Sequence, residues 1–247
     1  KSILLNDLIK FVKVASDKPE LFIIEKGIKK GHVTLELNLN IDNDGKIKND
    51  YQIKGLIKEA KVGLLNNIKF KNINLGFNFK KDSYSLSEIK FTANDIDFFS
   101  KKININKKKN IFFINGSLKN NESELNNNIF KLLDLNIKNL NIDEVKFITT
   151  TKFSFEINNR FKVKNIILNS DVIFNKLKYK KPNIIENYFS DINDFILLNN
   201  HKFNLRYKNK NLSIKGKGEI QIEKQADQIK YSINKNGKDL KINSDLF

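Results

Sequence analysis

The sequence predicts a mostly β protein of the α+β class, built on a long antiparallel curled sheet with about three short helices. Two observations predict this fold. Apolar and polar residues alternate over many short segments, as they do in strands with one buried face. Turn residues, mainly Asn, Asp and Lys, separate these segments about every 8–12 residues, which is typical of an antiparallel meander.

The first element is predicted to be an amphipathic helix over residues 3–15. Leu8, Ile9 and Val12 follow one another at helical spacing, and Pro19 closes the segment. Two further helices are predicted over residues 122–133 and residues 183–198, where apolar side chains again recur every three or four positions.

The clearest strand begins after Gly31. Its apolar residues are Val33, Leu35, Leu37, Leu39 and Ile41, and polar residues fill the positions between them. A turn is expected at residues 42–45. The same alternation continues along the chain and predicts four segments. They are an N-terminal helix and lead-in (1–31), an antiparallel β meander (32–120), a helix with a second β series (121–182), and a helix followed by C-terminal strands (183–247).

One octet recurs three times, with the pattern apolar, any, apolar, Lys, Asn, apolar, any, apolar. Its central pairs are Lys71-Asn72, Lys138-Asn139 and Lys164-Asn165. The apolar phase slips by one residue at each pair, so an uninterrupted strand would direct its second half to the wrong face. A bulge would correct the phase, and Asn tolerates the left-handed conformation that some bulges need. The alternative is that a chain rich in Lys, Asn and Ile produces such octets by chance.

Composition excludes several classes of protein. There is no Cys, and therefore no disulfide, thiol nucleophile or thiolate metal site. Apolar runs of about four residues are far shorter than the roughly 18 that a membrane-spanning helix needs. The lack of Met and a first residue of Lys suggest a piece of a longer protein whose anchor or signal could lie upstream.

The net charge of +17 does not by itself indicate nucleic-acid binding. Only Arg160 and Arg206 among the 45 basic residues are arginines, and the lysines are spread along the whole chain. Proteins that recognise bases or clamp phosphates rely on the bidentate guanidinium of Arg. We therefore expect no specific nucleic-acid partner.

Catalytic motifs are not found. His32 and His201 are the only imidazoles, and both are expected at the surface. The chain has no P-loop, no dinucleotide-binding glycine motif and no nucleophile elbow. Gly216 and Gly218 lie inside a strand pattern, where close approach of a neighbouring strand explains them better than phosphate binding does. We expect a protein that is not an enzyme, with no catalytic residue, metal or cofactor.

A sheet with one apolar face must cover that face with protein, lipid or another ligand. A closed β-sandwich with an ordinary core is one possibility. An open, curled sheet whose lining stays available to acyl chains is another. The alternation fits both.

The stretch from Asn66 through Asn120 resembles the AsmA-like superfamily of Gram-negative envelope proteins, the AsmA/TamB/YhdP group. The resemblance rests on the strand series at Lys71–Phe77, Tyr84–Phe91, Phe98–Ile105 and Phe112–Asn120. The tail, Phe203–Ile242, is similar to strand series of the YhdP-like members.

The resemblance implies a repeating β-groove of the bridge-like lipid transfer type. Such a protein is anchored in the inner membrane, extends through the periplasm and contacts the inner and outer membranes through further parts of a longer chain. Its groove would carry phospholipid acyl chains and serve outer-membrane biogenesis and lipid homeostasis. The alternative is a closed β-sandwich that binds envelope protein partners without lipid. We expect the groove lining to include Leu35, Leu37, Leu39, Phe77, Phe79, Phe91, Phe98, Phe153, Phe155, Phe203 and Leu205.

Overall fold

A computed structural model describes most of the chain. The described residues are 2–15, 25–45, 48, 50–65, 68–124, 140–141, 145–160, 162–180, 194–237 and 239–247. Among them, no helix has the length and apolar character needed to cross a bilayer.

The helix α1 spans Leu5–Ala15, and residues 25–27 are also helical. The strands are β1 (Ile3–Leu4), β2 (Ile28–Asn38), β3 (Gln52–Leu65), β4 (Ile68–Lys80), β5 (Ser83–Ala93), β6 (Ile96–Lys108), β7 (Ile111–Asn120), β8 (Ser123–Glu124), β9 (Leu140–Asn141), β10 (Lys146–Asn158), β11 (Val163–Lys180), β12 (Phe195–Lys208), β13 (Asn211–Gln221), β14 (Ala226–Asn236) and β15 (Asp239–Leu246).

All these strands belong to one antiparallel sheet whose order follows the chain. The order runs from β1 to β7 and then from β10 to β15, with β8 paired to β10 and β9 to β11. In the described residues β15 pairs with β14 and not with β1, so the sheet is not closed. The predicted fold class, a long antiparallel sheet with few helices, is confirmed.

The chain divides into two compact units. Unit 1 comprises Lys1–Leu118 and Ser154–Lys164, and unit 2 comprises Lys119–Phe153 and Asn165–Phe247.

The core of unit 1 lies between α1 and the first strands. Leu5 and Ile9 of the helix are buried against Val33, Ala60 and Phe77 of the sheet. The helix forms because its apolar residues recur on one side, while Asp7 in its first turn and Lys13 in its last turn match the helix dipole. The helix predicted over residues 3–15 is therefore confirmed from Leu5 onward, whereas Ile3–Leu4 form β1. The helix covers part of the apolar face.

Several connections are the tight hairpins that the turn residues indicate. Asn94 and Asp95 have φ of 50° and 65°, and Asn209 and Lys210 have φ of 51° and 67°. Two consecutive left-handed residues are the signature of a type I′ turn, whose twist suits antiparallel strands. The turn predicted at residues 42–45 is also present, with the Gly45 amide donating to the Asp42 carbonyl at 3.1 Å.

The octet prediction is confirmed where the structure describes it. Asn72 and Asn165 both adopt left-handed φ, of 54° and 51°. The β4–β5 register shifts between Lys71 and Asn74, as a bulge requires. The third pair, Lys138-Asn139, lies outside the described residues.

The two later helix predictions fare differently from the first. Phe195–Leu198 are wrongly predicted as helix, because they form the start of β12, where Ile196 pairs with Tyr179 and Leu198 with Leu177. An apolar run fits either period, and cross-strand pairing decides the outcome. In the segment 122–133, Ser123–Glu124 form β8 rather than helix. Glu122 and Asp194 are bends, and the remainder, 125–133 and 183–193, lies outside the described residues.

Candidate functional site

The unit 1 apolar face is built from side chains that lie opposite one another on β2 to β6. The first row across the strands is Leu37, Ile53, Phe79, Tyr84 and Ile105. The second row is Leu35, Gly55, Phe77, Leu86 and Ile103. Facing residues of an antiparallel pair share one side of the sheet, so these rows form one continuous apolar surface.

Aromatic rings run along this face. Phe77 and Phe79 have ring centroids 4.9 Å apart, and Phe79 meets Tyr84 edge-on at 5.5 Å. Further along, Phe91 stacks on Phe98 at 5.4 Å. Such contacts stabilise by about 0.5–1.5 kcal/mol each beyond the burial of their area. The rings therefore hold one another in place on the sheet.

Burial varies along the unit 1 apolar face. Phe77 is only 7% exposed because it packs with α1, whereas Leu37 is 51% exposed. Between these limits Leu35, Phe79 and Leu86 are half-buried against the core. The end near α1 is a protein core, and the surface beyond the helix is accessible.

Bulges on three neighbouring strands keep the apolar side chains on one face. Glu59, Asn72 and Glu88 all have left-handed φ, and the β3–β4 and β4–β5 registers shift beside them. The Asn74 side chain joins two of these bulges. Its Oδ1 accepts from the Glu59 amide at 3.2 Å, and its Nδ2 donates to the Asn72 carbonyl at 2.8 Å.

The unit 2 apolar face is built in the same way on β11 to β15. One row is Val172, Phe203, Gly216, Tyr231 and Ser244. The next row is Ser170, Leu205, Ile214, Ile233 and Ile242. Ile242, on the last strand, is 60% exposed. This face remains accessible at β15.

His201 is buried in the middle of the unit 2 apolar face, with 2% of its surface exposed. The prediction that it lies at the surface is wrong. The adjacent Asn200 has φ of 54°, and the β12–β13 register shifts between Asn199 and Lys202. His201 alternates with Phe203 and Leu205 after this bulge, so the imidazole lies on the apolar side, where it stacks on Phe174 with centroids 4.9 Å apart and 2° between the planes.

Two glycines make room for these rings. A Cβ on Gly218 would collide with the His201 ring, and a Cβ on Gly216 would collide with the Tyr231 ring. An aromatic ring that covers a cross-strand glycine shields its backbone from water. Close approach of the neighbouring strand, as the sequence indicated, explains this glycine pair.

The polar atoms of His201 are satisfied within unit 2. Its Nε2 lies 3.0 Å from the Glu219 carbonyl, and its Nδ1 lies 3.2 Å from the Tyr231 hydroxyl. Because a carbonyl oxygen only accepts, the neutral ring donates from Nε2 and accepts the Tyr231 proton at Nδ1. Burial lowers the pKa of His201 below 6.5, although the Glu219 carbonyl opposes the shift. Burial also raises the pKa of Tyr231.

Most of the predicted lining residues lie on these faces. In unit 1, Leu35, Leu37, Phe77, Phe79, Phe91 and Phe98 share one face. Leu39 is exposed beyond the end of β2. In unit 2, Phe203 and Leu205 lie on the apolar face.

Phe153 and Phe155 are half-buried in β10, one in each unit. The hydroxyl of Thr151, two residues before Phe153, lies 2.8 Å from that of Ser170, which belongs to the unit 2 apolar face. Alternation along β10 therefore places Phe153 on that face as well.

Sequence reasoning did not select several residues that belong to the faces. They are Tyr84, Leu86, Ile103, Ile105, His201, Tyr231, Ile233 and Ile242. Alternation was the available signal for most of them. For His201 the signal was a change of phase in the segment 195–207. Apolar residues lie at even positions before it and at odd positions after it, and His201 shares the odd positions.

The two faces offer apolar surface and few reactive groups. Within the described part of the chain, no cluster of three or more His, Asp or Glu side chains is arranged to hold a metal ion. The arrangement is chemically suited to shielding an apolar ligand from water.

The chain matches no protein family, no curated protein and no solved structure to a significant degree. The resemblance to the AsmA-like superfamily therefore stays a prediction from the sequence.

Proposed function

We propose that this chain is a segment of a hydrophobic-groove protein that carries phospholipid acyl chains and acts in lipid transport between membranes. The observation that supports the proposal is the accessible apolar face of each unit, backed by a polar opposite face. In unit 1 the opposite side carries ion pairs such as Lys54 with Glu36 at 3.1 Å, which keep it hydrated.

Packing within each unit leaves some apolar side chains accessible to a ligand. Leu37 and Ile242 expose more than half of their surface while lying in register with half-buried apolar neighbours. Covering apolar surface releases about 25 cal/mol per Å², so an acyl chain laid along such a row gains free energy at each strand that it crosses. Contiguous apolar surface of this kind commonly marks a ligand site.

The role needs no catalytic residue, because the protein lowers the cost of exposing an acyl chain to water. The rest of the proposal comes from the family resemblance. It comprises a periplasmic location, attachment to the inner membrane through another part of the chain, and a contribution to outer-membrane lipid homeostasis.

The test uses substitutions that the fold tolerates. Leu37→Glu and Ile242→Glu place a charge on the apolar faces at exposed positions, where unfolding is not expected. Matched controls are Asn38→Glu and Asn243→Glu, because each lies next in its strand, carries the same new charge and points to the opposite face. Each protein is purified from a Gram-negative periplasm, and its bound lipid is measured by native mass spectrometry with lipid extraction.

We expect phospholipid to co-purify with the unaltered protein and with both controls. The apolar-face variants should lose most of it, because a carboxylate is costly to bury against an acyl chain. An unaltered protein without lipid would contradict the proposal. Equal lipid content in variants and controls would contradict it as well.

Protein binding at the last strand is a second candidate function. All eight residues of β15 are exposed, and an edge strand can extend the sheet of a partner. This function predicts a lipid-free protein and a defined envelope partner. The same lipid measurement separates the two candidates.

A further inference from the structure

Three lysines form a row on the polar side of unit 2. Lys202, Lys217 and Lys230 are direct cross-strand partners on β12, β13 and β14. Adjacent strands lie about 4.8 Å apart, so the three lysine side chains start from backbone positions that are close together. We call these three residues the lysine row.

Within the described part of the chain, no member of the lysine row forms an ion pair. Like charges directly opposite one another destabilise a sheet. The polar side of unit 1 differs, because there Lys54 lies opposite Glu36 and the two charges form an ion pair.

Three carboxylates lie on this side, and in the residues that the structure describes none of them forms an ion pair with the lysine row. Asp171 accepts a hydrogen bond from Asn204 at 2.8 Å, and Glu219 accepts one from Asn200 at 3.4 Å. Asp245 lies opposite Lys230 at the end of the row. Lys215, two residues before Lys217 on the same side, adds a further positive charge.

Exposed apolar side chains flank the lysine row at both ends. Ile173 lies opposite Lys202 and is 42% exposed. At the other end Phe247 is 65% exposed, and the Lys230 Nζ lies 4.5 Å from its ring centroid. A lipid membrane has anionic headgroups next to apolar acyl chains. Lysine ammonium groups flanked by apolar side chains are complementary to that boundary.

A shallow depression lies between these lysines. Ser232, Asn243 and, at one end, the Asp245 carboxylate line it together with the lysine row and Lys215. A hydroxyl and an amide beside three ammonium groups supply hydrogen-bond donors for phosphate oxygens.

We propose that the lysine row binds the phosphate headgroups of an anionic phospholipid membrane. The inference concerns the side opposite the unit 2 apolar face and goes beyond the proposed function. A membrane fits better than nucleic acid because Ile173 and Phe247 gain free energy in lipid and not beside a phosphate backbone. Nucleic-acid sites favour arginine. Among the described residues on this side of unit 2, Arg206 is the one arginine.

The test is sedimentation with phosphatidylcholine vesicles that either contain or lack phosphatidylglycerol. We expect binding only to the anionic vesicles and weaker binding as salt rises. The variant Lys202→Gln/Lys217→Gln/Lys230→Gln should lower the affinity about a hundredfold, since each lysine near an anionic surface contributes about fivefold.

The matched control removes the same charge elsewhere. Lys30, Lys54 and Lys71 each lie within 3.1–3.8 Å of a carboxylate in unit 1. Their triple Gln variant should retain most of the binding. Equal loss in the two triple variants would mean that net charge alone drives association, and retained binding by the lysine-row variant would overturn the proposal outright.

A second variant separates a membrane from a soluble polyanion. Ile173→Ser should weaken vesicle binding and leave binding of a single-stranded oligonucleotide unchanged. If the protein binds the oligonucleotide through the lysine row but ignores anionic vesicles, the membrane proposal is overturned. Lipid extracted from the apolar faces should not change in the lysine-row variant, so this result and the test of the proposed function can fail independently.

Discussion

His201 places a titratable ring among apolar neighbours, and this has a consequence for stability. Its pKa is lowered below 6.5 by burial, so the folded state favours the neutral ring more than the unfolded chain does. Below pH 6.5 the unfolded state binds more protons, and stability falls as the pH falls. The contribution of the neutral ring is complete above pH 6.5 and is lost on acidification.

We expect His201→Gln to reduce this loss. The measurement is the free energy of unfolding from urea denaturation at a pH above 6.5 and at a pH below the lowered pKa. The unaltered protein should lose more stability between the two conditions than the variant does. Identical pH dependence in the His201 variant and the unaltered protein would contradict the assignment.

At the scale of the element, left-handed residues within strands keep the apolar faces continuous. Asn72 allows Phe70 and Ile73, which are separated by an odd number of positions, to lie on the same face. Phe70 contacts the Phe91 ring at 5.6 Å, and Ile73 packs against the core. Without the bulge one of the two side chains would point to the polar side.

Asn72→Val should destabilise unit 1 by about 1–2 kcal/mol, because a β-branched residue is strained in the left-handed region. Asn72→Gly should be nearly neutral, since glycine adopts this conformation readily. Thermal unfolding measures both effects. The control Asn106→Val, at an exposed strand position outside the left-handed set, should not destabilise the protein. Equal destabilisation by both valine substitutions would show that the strain at Asn72 is not the cause.

Alternation predicted the strands well because a side chain's neighbours in an antiparallel meander are close in sequence. The bulges at Asn72 and Asn165 could also be predicted, since the apolar phase slips where an Asn is present. Those at Glu59 and Glu88 could not, because Glu rarely adopts left-handed φ and only the register of the neighbouring strands requires it there. The helix prediction for residues 195–198 is wrong for a related reason. These residues form a strand because they pair with β11, and the local sequence does not reveal that pairing.

At the scale of the whole molecule, each long strand pairs mainly with the long strands that come just before and just after it in the sequence. Stability is then close to a sum of neighbouring-strand terms, as in repeat proteins. Such chains lose the all-or-none unfolding of small globular domains.

We therefore expect scanning calorimetry to give a calorimetric enthalpy larger than the van't Hoff enthalpy. The two compact units are the natural candidates for separate steps. Circular dichroism and the fluorescence of the six tyrosines should then give transitions that do not coincide. A single transition with equal enthalpies would contradict this expectation.

The chain-order pairing of the strands also bears on how the length of such a protein can change. A hairpin inserted between two others finds the same kind of neighbours on either side and separates only the one strand pair at the point of insertion. Each inserted hairpin widens the sheet by about 10 Å, or twice the spacing between strands. Duplication of a segment of some 25 residues is thus a complete evolutionary step. The distance that the apolar surface spans can therefore change in steps of one hairpin, while the residues already present keep their places within their strands.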